Sequence, residues 1–85
     1  MQLKIAEHLL IRQIDDEVFI YDRDRADVHS FNGVGAFIWR CIEKTFDDNA
    51  IVEALLEEYE VDRITAERDL RRFVGTITEQ GLLEP

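Results

Sequence analysis

Two halves of the chain differ in how hydrophobic and polar positions repeat. In the first half, short runs rich in Ile, Val, Phe and Tyr are separated by polar turns, which is typical of strands. In the second half, apolar residues recur at steps of three and four, which indicates amphipathic helices. The pattern predicts an α+β fold, in which a three-stranded antiparallel sheet is followed by three helices in a winged-helix-like layout.

The predicted strands lie within about residues 9–31. Asp15 and Asp16 supply turn chemistry between the first two strands, which therefore read as a hairpin. Val18 and Ile20 are expected to share one face of the sheet. Residues 1–8 are too ambiguous to assign. The three predicted strands are Leu9–Ile14, Glu17–Asp22 and Asp27–Phe31.

Three helices are predicted over about residues 33–43, 46–59 and 63–80, and the whole chain, 1–85, is expected to form one domain. Asn32, Thr45 and Asp62 are of types favoured at helix N-caps and are expected to cap the three helices in that order. Gly81 offers a C-terminal stop for the third helix. Trp39 lies in a very apolar helix and is expected in the core.

The charge balance restricts the class of partner. The chain of 85 residues has nineteen acidic and ten basic side chains, which give a net charge of −9. Such a field repels nucleic-acid phosphates and anionic membranes, so a neutral or basic partner is expected. Cys41 is the only cysteine, and no apolar run approaches the roughly 20 residues of a membrane span. The sequence therefore predicts a soluble, cytoplasmic protein.

Two further features bear on function. A three-stranded sheet has two edges, which are hard to cover in a domain of this size. The sequence also lacks a nucleophile–base pair, a cluster with metal-ligand spacing and a phosphate-binding glycine loop. We therefore predict that the chain is not an enzyme and that it uses neither a cofactor nor a metal.

The run Phe-Asn-Gly-Val-Gly-Ala-Phe-Ile-Trp at residues 31–39 resembles the Leu-Asn-x-x-(Ala/Gly)-Ala-x-Ile-Trp signature of the pyrroloquinoline-quinone biosynthesis protein D (PqqD) family. The similarity continues through Thr45, residues 51–59, residues 69–70, Phe73 and residues 81–83, so it covers most of the chain from about Val18 onward. Phe31 replaces the commoner leucine of the signature. Many relatives also have an Asp-Gly turn after the first helix, where this chain has Glu43-Lys44-Thr45.

The resemblance implies a non-catalytic adaptor, also called a RiPP precursor-peptide recognition element. In this family the domain captures the leader segment of a ribosomally synthesised precursor peptide and presents it to a modifying enzyme, such as a radical SAM-type oxidase, a leader protease or a cyclase. The leader adds as a strand beside the third strand, in a groove formed with the third helix.

Carried onto this chain, the resemblance implies a site built from the edge strand and the third helix. An apolar leader side chain is expected near Phe73 and Val74, and acidic leader positions near the arginines. His29 is expected to be solvated. The sequence leaves open which flank of the helix lines the groove. The candidate peptide-binding residues are Asp27, Val28, His29, Ser30, Phe31, Glu67, Arg68, Arg71, Arg72, Phe73 and Val74.

Two alternatives from other functional classes stay open at this point. The helical half is also compatible with a winged-helix DNA-binding domain, although the net charge argues against it. A self-associating structural module is the other alternative, in which the open edge strand pairs with a second copy to form a homodimer.

Overall fold

The computed structural model describes residues 3–45 and 47–84. Within these residues the chain forms five strands and three helices, and none of the helices is long and apolar enough to cross a bilayer. The elements, in chain order, are β1 (Lys4–Ile5), β2 (Leu9–Ile14), β3 (Glu17–Asp22), β4 (Asp27–Phe31), α1 (Gly33–Thr45), α2 (Asp48–Glu58), α3 (Arg63–Glu79) and β5 (Leu83–Glu84).

The main sheet has the strand order β2-β3-β4, and both pairings are antiparallel. Asp15 and Asp16 form the two-residue turn between β2 and β3, and Asp15 has a positive φ of 54°. Val18 and Ile20 are fully buried on the inner face of β3, as the period-two alternation requires. The predicted α+β fold, a three-stranded antiparallel sheet and three helices, is confirmed.

A second, smaller sheet joins β1 to β5, which the sequence did not predict. Lys4 faces Glu84 and Ile5 faces Leu83 in an antiparallel pair. Next to this pair, the Ala6 amide donates to the Leu82 carbonyl over 3.0 Å. Two residues per strand are too few to show a periodic pattern, so only tertiary contact reveals these strands.

Helix α1 lies at the centre of the molecule, where it contacts β3, α2 and α3. Trp39 is fully buried, which confirms its predicted place in the core. Cys41 packs half-buried against this core, and burial raises the pKa of its thiol. The largest fully buried apolar side chains are Trp39, Ile20, Ile38, Ile42, Ile51, Ile77, Leu82 and Val18.

The caps of α2 and α3 are acidic. Asp62 accepts a hydrogen bond from the Thr65 amide over 2.7 Å, as predicted. The prediction for α2 was wrong, because α1 continues through Thr45 and the N-cap of α2 is Asp47. Asp47 has an extended backbone, and its short carboxylate reaches the Asn49 amide at 3.0 Å. The predicted start of this helix at residue 46 lies outside the described residues.

The start of α1 also differs from the expectation. The Asn32 carbonyl accepts a hydrogen bond from the Ala36 amide over 3.3 Å. The Asn32 side chain, however, forms no hydrogen bond with any residue that the structure describes, so the predicted side-chain cap is absent there. Gly33 has a φ of +56°, a left-handed conformation that glycine adopts readily. The chain therefore enters α1 through a glycine turn.

Asp22 organises the turn that precedes β4. Its buried Oδ1 accepts hydrogen bonds from the Asp24 amide at 3.0 Å and the Arg25 amide at 3.2 Å. His8 Nε2 lies 3.1 Å from the same oxygen. Asp22 thus ties the turn to the segment between β1 and β2, and it positions the first residue of the edge strand.

Candidate functional site

Strand β4 forms one edge of the main sheet. Its residues pair with β3 in the register Val18–Phe31, Ile20–His29 and Asp22–Asp27. No strand within residues 3–45 and 47–84 pairs with the other side of β4. An edge of this kind presents N–H and C=O groups on which an extended peptide can form a further strand.

The register indicates which backbone groups of β4 are available. In an antiparallel ladder, pairs that exchange both backbone hydrogen bonds alternate with pairs that exchange none. The two-residue turn closes the β2–β3 hairpin with a bonded pair, and the alternation from there makes Ile20 and His29 a bonded pair. Val28 and Ser30 therefore direct their N–H and C=O groups toward the free edge.

A groove of about 440 Å³ lies between the end of β4, the start of α1 and one flank of α3. Its apolar residues come from β4, α1 and α3, and its polar residues come mainly from α3. The lining residues are Ser30, Phe31, Asn32, Val34, Gly35, Ile38, Asp69, Arg72, Phe73 and Thr76.

Three aromatic rings lie close together at the apolar part of the groove. Phe31 contacts Phe73 edge to face, with ring centroids 5.0 Å apart, and its ring lies 6.0 Å from that of Trp39. Gly35 makes this packing possible, because a Cβ atom there would lie 3.2 Å from Phe73 Cε1. The packing of the groove therefore depends on the absence of a side chain at Gly35.

Two opposite charges from α3 line the groove. Arg72 is exposed and forms no ion pair with the described residues, and Asp69 lies one turn earlier and is half-buried. A free guanidinium can bind a carboxylate through two parallel hydrogen bonds. Arg72 therefore suits an acidic group on a ligand, whereas Asp69 disfavours one in its own vicinity.

At its other end, the edge strand is tied to α3 through Arg25. The Arg25 guanidinium donates to the Gln80 carbonyl, the C-cap of α3, over 3.3 Å. A Cβ atom on Gly81 would lie 3.1 Å from that guanidinium. Gly81 also has a φ of +78°, which favours glycine at a helix end. The turn before β4 is thus connected directly to the last turn of α3.

The structure distributes the predicted site residues over several surfaces. Ser30, Phe31, Arg72 and Phe73 line the groove beside β4. A different cavity of about 280 Å³ between α2 and α3 is lined in part by Glu67, Arg71 and Val74. These three residues line the cavity beside α2 and do not line the groove next to β4.

The other predicted site residues do not lie on one common surface either. Arg68 is exposed and lines neither cavity. Asp27 and Val28 are exposed on β4. His29 was expected to be solvated, but it lies half-buried opposite Ile20, and its Nε2 is buried with no hydrogen-bond partner among the described residues. The expectation for His29 was wrong because its position in the register places it on the inner face of the sheet.

Several groove residues were missed as site candidates. Asp69 and Thr76 share the flank of Arg72 and Phe73, at the three- and four-residue spacing that a helical wheel shows. Val34 and Ile38 lie four apart on α1, a spacing that is typical of core-facing helix positions and does not by itself indicate a binding surface. The signal for this flank was present, but nothing in the sequence indicated that it faces β4.

Comparison with known proteins shows which family and which solved structures the chain is similar to. The family model for coenzyme PQQ synthesis protein D (PqqD) matches residues 17–83. The structure of TbiB1 in complex with the TbiA(beta) leader peptide has a TM-score of 0.92 and 37% sequence identity, with 95% of this chain and 94% of that chain covered.

A second solved structure shares the fold. Lasso peptide synthetase B1 complexed with the leader peptide has a TM-score of 0.87 and 24% identity, and both chains are covered completely. No curated protein matches the chain at a significant level. The family model covers most of the chain, and the structural match extends over nearly all of it. The chain therefore belongs to the PqqD family.

Proposed function

We propose that this protein binds the leader segment of a ribosomally synthesised precursor peptide by β-strand addition to β4. The observation that carries the proposal is the free edge of β4 next to a groove with an apolar floor. TbiB1, which is 37% identical to this chain, is similar over nearly its whole length and was solved with a leader peptide bound.

In this arrangement the backbone supplies affinity and the groove supplies selectivity. Val28 and Ser30 pair with the leader backbone. Leader side chains on the inner face enter the groove, where an apolar residue packs against Phe31 and Phe73 and an acidic residue pairs with Arg72. Asp27 and His29 belong to the same strand but direct their backbone groups to β3.

We further propose that the chain itself performs no chemistry and delivers the bound precursor to a peptide-modifying enzyme, such as a radical SAM-type oxidase, a leader protease or a cyclase. The polar residues of the groove are Ser30, Asn32, Asp69, Arg72 and Thr76, a set without a histidine, the commonest general base, and without a cysteine nucleophile. Binding by an edge strand also leaves the remainder of an extended precursor accessible to a second protein.

A second copy of the chain is the competing occupant of this edge. Self-association through β4 would use the same N–H and C=O groups, so leader binding and dimer formation would exclude each other. Sedimentation across a dilution series, with and without peptide, distinguishes the two: under our proposal, peptide binds at concentrations where the chain is monomeric.

The direct test is an NMR titration of the ¹⁵N-labelled chain with the leader segment of a precursor peptide encoded beside its own gene. We expect saturable shifts of the Val28 and Ser30 amides and of residues around Phe73. Residues in the cavity between α2 and α3, such as Glu67, serve as the internal reference. An absence of shifts at millimolar peptide would contradict the proposal.

A further inference from the structure

The outer face of the main sheet carries an exposed apolar row that the groove does not use. The cross-strand register places Leu10 opposite Tyr21 and Tyr21 opposite Val28. Their exposed fractions are 42%, 40% and 69%. The row thus crosses all three strands and ends at the free edge, and its most exposed member is the one at that edge.

The same face contains a shallow cleft of about 170 Å³ in which polar lining is scarce. Arg12 is its only charged residue. The lining residues are Leu10, Arg12, Phe19, Ile20, Tyr21 and Val28. A ligand side chain placed beside Val28 would have an uncharged neighbour on β4, because the next outward position of that strand is Ser30.

A strand that pairs with β4 must place side chains on both faces of the sheet. Successive side chains of a strand point to opposite faces, so only alternate leader residues can enter the groove beside α3. The intervening residues lie on the outer face, and a residue directly opposite Val28 has its Cβ about 5 Å from that of Val28. It would extend the row formed by Leu10, Tyr21 and Val28 by one member.

We propose that the leader peptide is recognised on both faces of the sheet, and that Val28, supported by Tyr21, selects an aromatic or β-branched leader residue at the outward position opposite it. This inference rests on the proposed function, since it requires a peptide strand beside β4. The occupant is the leader itself, because strand addition brings its outward side chains to this face.

The test uses a random-peptide mRNA-display library selected on the wild-type chain and on Val28→Thr. The substitution preserves shape and β-branching and removes only apolar character. The control is Ile14→Thr, which also introduces a β-branched hydroxyl residue at an exposed position of the same face, 59% exposed, on the far strand β2. Melting temperatures of the three proteins confirm that each is folded.

We expect the peptides enriched on wild type to show two alternating sets of selective positions. The set that enters the groove should persist on Val28→Thr, whereas the aromatic or β-branched preference at one outward position should disappear. A synthetic consensus peptide should bind Val28→Thr about two- to fivefold more weakly than wild type, as for the loss of one cross-strand pair. Ile14→Thr should bind it as wild type does.

Each of the following results would overturn the inference. If outward positions accept any residue, or if Val28→Thr binds the consensus peptide as tightly as wild type, only this inference fails and the proposed function remains. If the outward positions are unselective and Val28→Thr abolishes a concentration-dependent dimer, a second copy occupies this face. If no peptide is enriched on wild type, the proposed function fails together with it.

Discussion

The Phe31 ring at the end of β4 contacts the Phe73 ring on α3 edge to face, with the ring centroids 5.0 Å apart. This contact joins two walls of the groove, so the distance between strand and helix is set before any ligand arrives. An aromatic pair of this geometry contributes about 0.5–1.5 kcal/mol beyond its buried area. The groove is therefore preorganised, which lowers the entropic cost of binding a peptide.

Gly35→Ala should weaken leader binding, because its Cβ would lie 3.2 Å from Phe73 Cε1 and would force the ring to shift. We expect calorimetry to show about a threefold to tenfold loss of affinity, which corresponds to losing the free energy that the aromatic pair contributes. Gly75→Ala is the matched control, because open space surrounds that helical glycine. It should raise the free energy of unfolding by about 0.5–1 kcal/mol and leave affinity unchanged. Unchanged affinity of Gly35→Ala would contradict the role assigned to Phe73.

Arg72→Gln should reduce affinity for a leader with an acidic residue, whereas Arg71→Gln should not. The two arginines are adjacent, exposed and without ion pairs to the described residues, but they line different cavities. Because Arg72 is exposed, we expect a loss of at most about 1 kcal/mol, or about fivefold. The difference between the variants should shrink at high salt. Equal losses for both would show that the charge acts only at long range.

Acid should destabilise the fold through Asp22. Burial raises the pKa of Asp22, but hydrogen bonds from the Arg25 amide, His8 and the Asp24 amide outweigh burial and hold this pKa below its ordinary value of 3.8. The stabilisation is therefore complete above pH 3.8 and is lost as the pH falls through the lower pKa of the folded state. In urea unfolding from about pH 5 to pH 2, the free energy of unfolding of Asp22→Asn should change less with pH than that of wild type.

Asp62 provides the comparison for this titration. The hydrogen bond from the Thr65 amide lowers the pKa of Asp62 in the same direction. Asp62→Asn keeps an N-cap residue and should also flatten the pH dependence. The double variant should be flatter than either single one. If the pH profile of Asp22→Asn coincides with that of wild type, the link between Asp22 and acid stability is wrong.

The two histidines should respond oppositely to replacement by leucine. His29 Nε2 is buried without a hydrogen-bond partner among the described residues, so His29→Leu removes an unsatisfied polar atom. We expect stabilisation of up to about 1 kcal/mol, measured from urea unfolding. His8 Nε2 lies 3.1 Å from Asp22 Oδ1, so His8→Leu should destabilise instead. A destabilised His29→Leu would indicate that the imidazole packs in a way leucine does not reproduce.

Most of the fold could be predicted because the patterns that indicate its strands and helices involve residues close together in the sequence. Alternation in Val18–Phe19–Ile20–Tyr21 assigns two residues to each face of β3, and the structure has them in that arrangement. The short strands β1 and β5 could not be predicted, because their pairing depends on contacts between distant parts of the chain. The change of cap from Thr45 to Asp47 has a similar origin, since both types are suitable N-caps and helix packing decides where α1 ends.

The sequence could predict which strand and which helix form the site, but not which flank of the helix lines the groove. Arg71 and Arg72 are equivalent in the sequence, and their separation into two cavities depends on how α3 rotates against α1. That rotation is determined by contacts such as Phe73 over Gly35. A helical wheel orders residues around an axis, but only packing tells which sector faces the neighbouring strand.

The position of Trp39 has a practical consequence for spectroscopy. It is the only tryptophan of the chain, it is fully buried, and its ring lies 6.0 Å from that of Phe31, which lines the groove. Its intrinsic fluorescence should shift to longer wavelength when the chain unfolds and water reaches the indole. The same emission should also change in intensity when a guest side chain packs against the neighbouring Phe31 ring, so one unlabelled chromophore reports both folding and occupancy.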